Sequence, residues 1–184
     1  MNAIDYLTWR GDLEFSRDKV NEVDAMIFSW LSYYEFEKLQ KAGVEFLGCS
    51  LKEIAEIHKK SIDVEALNWV EIDAEIDLDS TIIARFTAPY LLYKASKTKR
   101  FDDVKVIDFK EVFDECRVVQ FAAVTFEMNS GIRVVAFRGT DSSIVGWKED
   151  CMLSYLDEIP GQAEAVKYVN NIANEIIKER CLTK

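Results

Sequence analysis

Histidine is almost missing from this chain, which carries only His58. Histidine is the side chain that most readily exchanges protons near neutral pH. A histidine-based reaction would have to run through that single position. Proline is nearly as scarce, at two residues, and glycine stops at seven. Long flexible linkers draw on glycine or proline, so the 184 residues read as one domain, 1–184, with a sizeable core. No apolar run approaches the length that crosses a bilayer, roughly 18 residues. Met1-Asn2-Ala3-Ile4-Asp5 has neither the basic region nor the apolar stretch of a signal peptide. The expected location is therefore the cytoplasm. Cys49, Cys116, Cys151 and Cys181 form no C-x-x-C pair, so no metal site is expected. They read instead as small buried apolar side chains. No cofactor signature is present.

Positive charge is also in deficit. Thirty-three acidic residues against 23 basic ones give a net charge of −10. A chain of that sign repels nucleic acid and anionic membrane surfaces. The apolar fraction of 49% and aromatic fraction of 12% fit a globular protein.

Along the chain, Gly11 marks a turn between two short apolar segments. Asn21, with Asp24 three residues on, predicts the start of a helix. Val23, Met26, Ile27, Trp30, Leu31 and Tyr34 would form its apolar face, and Gly43 would end the unit. Ser50-Leu51-Lys52-Glu53 is a capping box and predicts a helix to about Lys60. His58 falls on the apolar side of that helix, which predicts a structural or partly exposed residue and no catalytic role. The acidic alternation from Asn68 to Asp79 lacks the glycine and terminal glutamate of a calcium loop; it reads as a half-buried extended piece. Asp79-Ser80 can cap a further helix, which Pro89 would kink or restart. Lys94, Lys97, Lys99 and Arg100 cluster at its end, where they complement the helix dipole. Val104–Phe109 reads as a strand and Glu111–Glu115 as a polar connection. Arg117–Glu127 reads as a strand apolar on both faces. Asn129-Ser130-Gly131 is a hairpin turn that should pair this strand with Ile132–Phe137. Gln162–Lys178 is the last helix, with Val166, Val169, Ile172, Ala173 and Ile176 on one face.

The most informative stretch begins at Gly131. Ile132–Phe137 is apolar apart from Arg133 and rich in β-branched residues, as a covered strand would be. Arg138 and Gly139 break that pattern, and Thr140 follows with a hydroxyl and an N–H. Strand ends of this kind are where open α/β sheets place ligands. Arg138 and Asp150 flank the following loop with opposite charges. They are expected to pair, with Trp147 packed beneath.

Phe137-Arg138-Gly139-Thr140, followed by Trp147 and Asp150, resembles the F-R-G-[ST]…W-x-x-D segment of class 3 lipases, which are α/β-hydrolase esterases. The wider pattern is closer to the Mbeg1-like family of bacterial proteins, itself similar to those lipases. Its residues here are Asp5–Asp12, Asn21–Asp24, Gln120–Ala123, Phe137–Asp141, Gly146–Asp150 and Gln162. The resemblance implies an oxyanion-hole role for Thr140. Fixed donors aimed at the developing negative charge lower the barrier to acyl transfer. Arg138, Gly139, Asp141, Trp147 and Asp150 would support the loop.

The chain departs from that pattern at the nucleophile. None of its glycines sits in a G-x-S-x-G elbow, and His58 lies far upstream. The expected fold class is α/β, the N-terminal portion of an α/β-hydrolase-like domain with helices on a small mixed sheet. The C-terminal half carrying the elbow would be lacking. The implied activity is hydrolysis of an acyl-ester or lipid-like small molecule, once completed by such a half. A G-H-S-x-G-G stretch encoded soon after Lys184 would mark that arrangement. The alternative is a non-catalytic binding or assembly module on the same fold. In either case the Ile132–Phe137 edge has little protection, which allows self-association through it.

Overall fold

The computed structural model describes residues 3–61, 84–140 and 143–182. The acidic Asn68–Asp79 stretch, the Asp79-Ser80 cap and Asp141 lie outside those residues. The chain divides into two compact units. One comprises Met1–Asp108 with Thr125–Ala136; the other comprises Phe109–Val124 with Phe137–Lys184. Three strands, β1 (Lys105–Asp114), β2 (Val119–Glu127) and β3 (Arg133–Arg138), form one sheet in the order β1-β2-β3. Each strand contributes residues to both units. The mixed α/β class expected from the sequence is what the chain has, and the described sheet is antiparallel.

Two strand boundaries differ from expectation. β1 runs on through Glu111 to Asp114 in place of a polar connection. The turn comes later, because Asp114 organises it. Its Oδ1 accepts from the N–H groups of Cys116 at 2.9 Å and Arg117 at 3.0 Å. Val118, at φ 50°, takes up the left-handed conformation the reversal needs, so β2 starts at Val119. At the other hairpin, Gly131 sits at φ 75° and donates to Met128 O at 2.8 Å. That is the turn read from Asn129-Ser130-Gly131. β2 is buried along nearly its whole length. β3 is one of the two outer strands, and Ala136 alone is buried in it. The expectation that β3 would be covered on both faces does not hold, since Val134 and Val135 are only half-buried and Phe137 is exposed.

The first unit contains α1 (Ala3–Arg10), α2 (Glu22–Leu31), α3 (Phe36–Lys41), α4 (Leu51–Ser61) and α5 (Ala84–Ala95). Asn21 caps α2 with a complete capping box, and Ser50 and Glu53 exchange the matching bonds at α4. The helix read from Asn21 stops at Leu31, and a separate short helix follows. Its inner face is also rotated: Asp24, Ile27, Phe28 and Leu31 are buried, whereas Met26 is exposed. A buried charge explains the shift. Asp24 accepts from Arg100 Nε at 2.8 Å and Nη2 at 2.5 Å, and from Tyr6 Oη at 3.0 Å. Arg100, only 2% exposed, is thus no helix-end cation. Its own desolvation would lower its pKa, but the Asp24 hydrogen bond and charge outweigh that and raise it. Phe28 packs near Phe101 and Phe126, with ring centroids 5.4 and 5.1 Å away. Pro89 lies inside α5 without ending it.

The second unit holds the ends of β1 and β3, most of β2, α6 (Ile144–Met152) and α7 (Pro160–Leu182). The expected loop from Arg138 to Asp150 therefore contains a helix. α7 buries Glu164, Tyr168 and Ile172. Val166 and Val169, placed on the inner face by the sequence reading, are exposed. Tyr168 instead meets the Phe121 ring, 6.1 Å away. The cysteines also depart from expectation: Cys116, Cys151 and Cys181 are exposed and Cys49 half-buried, and all four are free thiols.

Candidate functional site

The site grows from the end of β3. Arg138 is still in the strand, with its side chain largely covered and paired to the Glu111 carboxylate. The expected pairing with Asp150 is not made. β1 extends far enough to put Glu111 within reach, and Asp150 has another partner. That partner is Thr140, whose Oγ1 donates to Asp150 Oδ1 at 3.0 Å. Gly139 and Thr140 are exposed.

Ser143 begins α6 as its N-cap, accepting from Gly146 N at 3.0 Å. Gly146 and Glu149 stand three residues apart and share the inner face of the helix. Trp147 is one residue, about 100°, further round. It is 61% exposed, so the expectation that it packs beneath the loop is overturned. A Cβ on Gly146 would stand 2.1 Å from Gln120 Oε1 and 2.7 Å from Thr140 Cγ2. Only glycine lets α6 come this close to both.

Glu149 is the residue the sequence reading missed. It is 3% exposed. Its Oε2 accepts from Gln120 N at 2.7 Å, and its Oε1 accepts from Gly161 N. The carboxylate thereby joins the start of β2 to the first turn of α7, where a helix favours negative charge. Pro160 takes the first helical position, and Gln162 Oε1 accepts from Ile159 N at 3.0 Å. The spacing of Gly146 and Glu149 was a usable signal, but only once residues 144–152 are known to be helical.

A family model described as Mbeg1-like matches residues 95–183. The match covers just under half of the chain, including all three strands, α6 and α7. Gln120, Thr140, Gly146, Asp150 and Gln162 fall within it. The Asp5–Asp12 and Asn21–Asp24 segments, also part of the resemblance, lie outside. No curated protein matches the chain, and no solved structure does. No helix among the described residues is long and apolar enough to cross a membrane.

His58 belongs to the other unit. It is 3% exposed, and its Nδ1 lies 2.6 Å from Tyr34 Oη. Burial pushes its pKa below the ordinary value. It is buried, as its place on the apolar side of α4 led one to expect, and not partly exposed.

Within the second unit, Glu164 ties α7 to β1. It accepts from Lys110 Nζ at 2.8 Å and Lys167 Nζ at 3.0 Å. The two ammonium groups hold its carboxyl down to about 2, from an ordinary 4.5. A depressed folded-state pKa stabilises the fold above the unfolded-state pKa and loses that effect as pH falls through the folded value. The stability difference between the native protein and Glu164→Gln should be constant above pH 5. It should shrink between pH 4.5 and pH 2. Lys167 is well exposed, so added salt should reduce the difference. Denaturant titrations of both proteins across this range check it, and a difference that does not vary with pH would refute the link.

Proposed function

We propose that residues 138–150 form the oxyanion-binding part of a lipase- or esterase-like serine hydrolase acting on acyl esters. The observation that carries this reading is the Thr140–Asp150 hydrogen bond at the end of β3, with Gly146 close against Thr140. An ionised carboxylate only accepts, so the threonine hydroxyl hydrogen is directed to Asp150. The donor that Thr140 offers a substrate is then its backbone N–H, held in place by its side chain. Fixed backbone donors of this kind are what acyl transfer requires. Arg138 and Glu111 hold the strand end on one side, and Glu149 holds the helix on the other.

The test is residue-resolved NMR of the labelled chain titrated with butylphosphonate, a tetrahedral anion resembling the acyl-transfer intermediate. The Gly139 and Thr140 amides should shift, and Asp150→Asn should weaken the effect. Unmoved amides throughout 138–150 would exclude an oxyanion role.

The chain by itself should not hydrolyse esters. It has no G-x-S-x-G serine, and the Nδ1 of its one histidine is engaged by Tyr34. Without nucleophile and base, only oxyanion and binding effects remain, several orders of magnitude below a complete triad. Turnover of p-nitrophenyl butyrate together with labelling of one serine by a fluorophosphonate would overturn this. The second reading is a non-catalytic binding module, which the same buried histidine favours. It would be supported by an inert loop in the NMR titration.

A further inference from the structure

α7 carries two stripes of covered-type residues and buries one of them. Glu164, Tyr168 and Ile172, spaced by four, are its buried side; Glu164 bonds Lys110 of β1 and Tyr168 meets Phe121 of β2. Val166, Val169, Ala173 and Ile177 recur at intervals of three and four on another side of the helix. At about 100° per residue the two stripes point roughly 140° apart. Val166, Val169 and Ile177 are 56%, 42% and 58% exposed, and Ala173 is exposed as well. From Ala173 to Leu182 every residue of the helix is exposed except Ile176, which is half-buried. We propose that a second copy of this chain covers the outward stripe, α7 against α7, antiparallel about a twofold axis at Ala173.

Two features of the stripe select a second copy as its occupant. The first is its symmetry. A twofold interface needs a surface complementary to itself. Val169 and Ile177 each lie four residues from Ala173, so antiparallel pairing sets Val169 of each copy opposite Ile177 of the other. The smallest side chain of the stripe then stands at the axis, where the helices come closest, and larger ones stand on either side. Packed helices lie about 8–10 Å apart, and alanine at the crossing permits the near end of that range. The second feature is charge. Copies of a chain with net charge −10 repel each other, so a self-contact has to be free of carboxylates. Asn170 and Asn174 flank the stripe on one side, and Ala165 and Ile176 on the other. Between Ala165 and Ile177 the only carboxylate is Glu175, which points roughly 160° away from the stripe. The antiparallel arrangement also sets the positive end of each helix dipole beside the negative end of the other. A contact of three to four helical turns is smaller than the standard interface of about 1,600 Å², so the dimer is a weak one.

Sedimentation velocity of the whole chain at low salt, from about 10 to about 500 µM, tests this. The sedimentation coefficient should rise with concentration toward that of a dimer. Val169 and Ile177 are exposed, so Val169→Glu and Ile177→Lys leave the fold intact. Each should raise the dissociation constant at least tenfold. The variant carrying both should recover most of that loss, since antiparallel pairing brings each glutamate opposite a lysine of the other copy. Parallel pairing would set like charges opposite each other and recover nothing. Val135→Lys, in β3, should leave the dimer unchanged, which separates this contact from pairing through the strand edge. A chain that stays monomeric throughout the range would overturn the proposal. So would a dimer that survives Val169→Glu and Ile177→Lys, a dimer that Val135→Lys dissociates, or a double variant no better than the singles.

Discussion

Replacing Arg100 by methionine should lower the unfolding free energy by about 3–5 kcal/mol, the usual loss when one partner of a buried ion pair is removed. The methionine keeps much of the side-chain volume but leaves Asp24 buried and uncompensated. Asp24 is fully buried and takes two bonds from the guanidinium. The same guanidinium also donates to the carbonyls of Leu13 at 2.8 Å and Lys19 at 3.1 Å, so the 13–19 segment loses its anchor as well. Packing adds to the loss, because the guanidinium lies 4.2 Å from the Phe15 ring centroid. Urea denaturation followed by circular dichroism measures the change. The double variant Arg100→Met with Asp24→Leu should lose less than the sum of the singles, since the stranded charge is then gone. A loss below about 1 kcal/mol for Arg100→Met would mean that Asp24 finds water or another donor.

Glu149→Leu should cost about 2–4 kcal/mol in the second unit. The estimate comes from two backbone N–H groups losing their acceptor at roughly 1–3 kcal/mol each, partly offset by an apolar side chain in a covered position. Gln120 and Gly161 donate those bonds. Glu149→Gln should fall between, because an amide presents one acceptor oxygen in place of two. Hydrogen exchange gives the specific readout. The Gln120 and Gly161 amides should exchange faster in both variants than amides at the centre of α2 in the other unit. If Glu149→Leu matches the native protein in stability and in exchange at these two amides, the carboxylate is not what joins β2 to α7.

The features legible in the sequence were local ones. The capping boxes at Asn21 and Ser50 and the turn at Asn129-Ser130-Gly131 were readable within a few residues. Each is settled by a side chain or a φ angle acting on backbone two to four positions away. The structural place of His58 followed from the same local spacing on α4. At the candidate site, Thr140 and Asp150 were singled out, and Gly146 entered only as part of the Gly146–Asp150 pattern; all three lie close together. Their arrangement was not readable. Ser143 capping α6 turned an expected loop into a helix, and this alone put Trp147 outward and Glu149 inward.

Charge pairing lay beyond the sequence. Arg138 takes Glu111, 27 positions away, over the nearer Asp150. Arg100 takes Asp24 across 76 positions. Glu149 serves one donor 29 residues before it and another 12 after it. Composition supplies many carboxylates for each cation, and pattern alone cannot rank them. Burial does: a charge removed from water must find a partner within hydrogen-bonding reach. Which groups are within reach is decided by the segments that pack beside it.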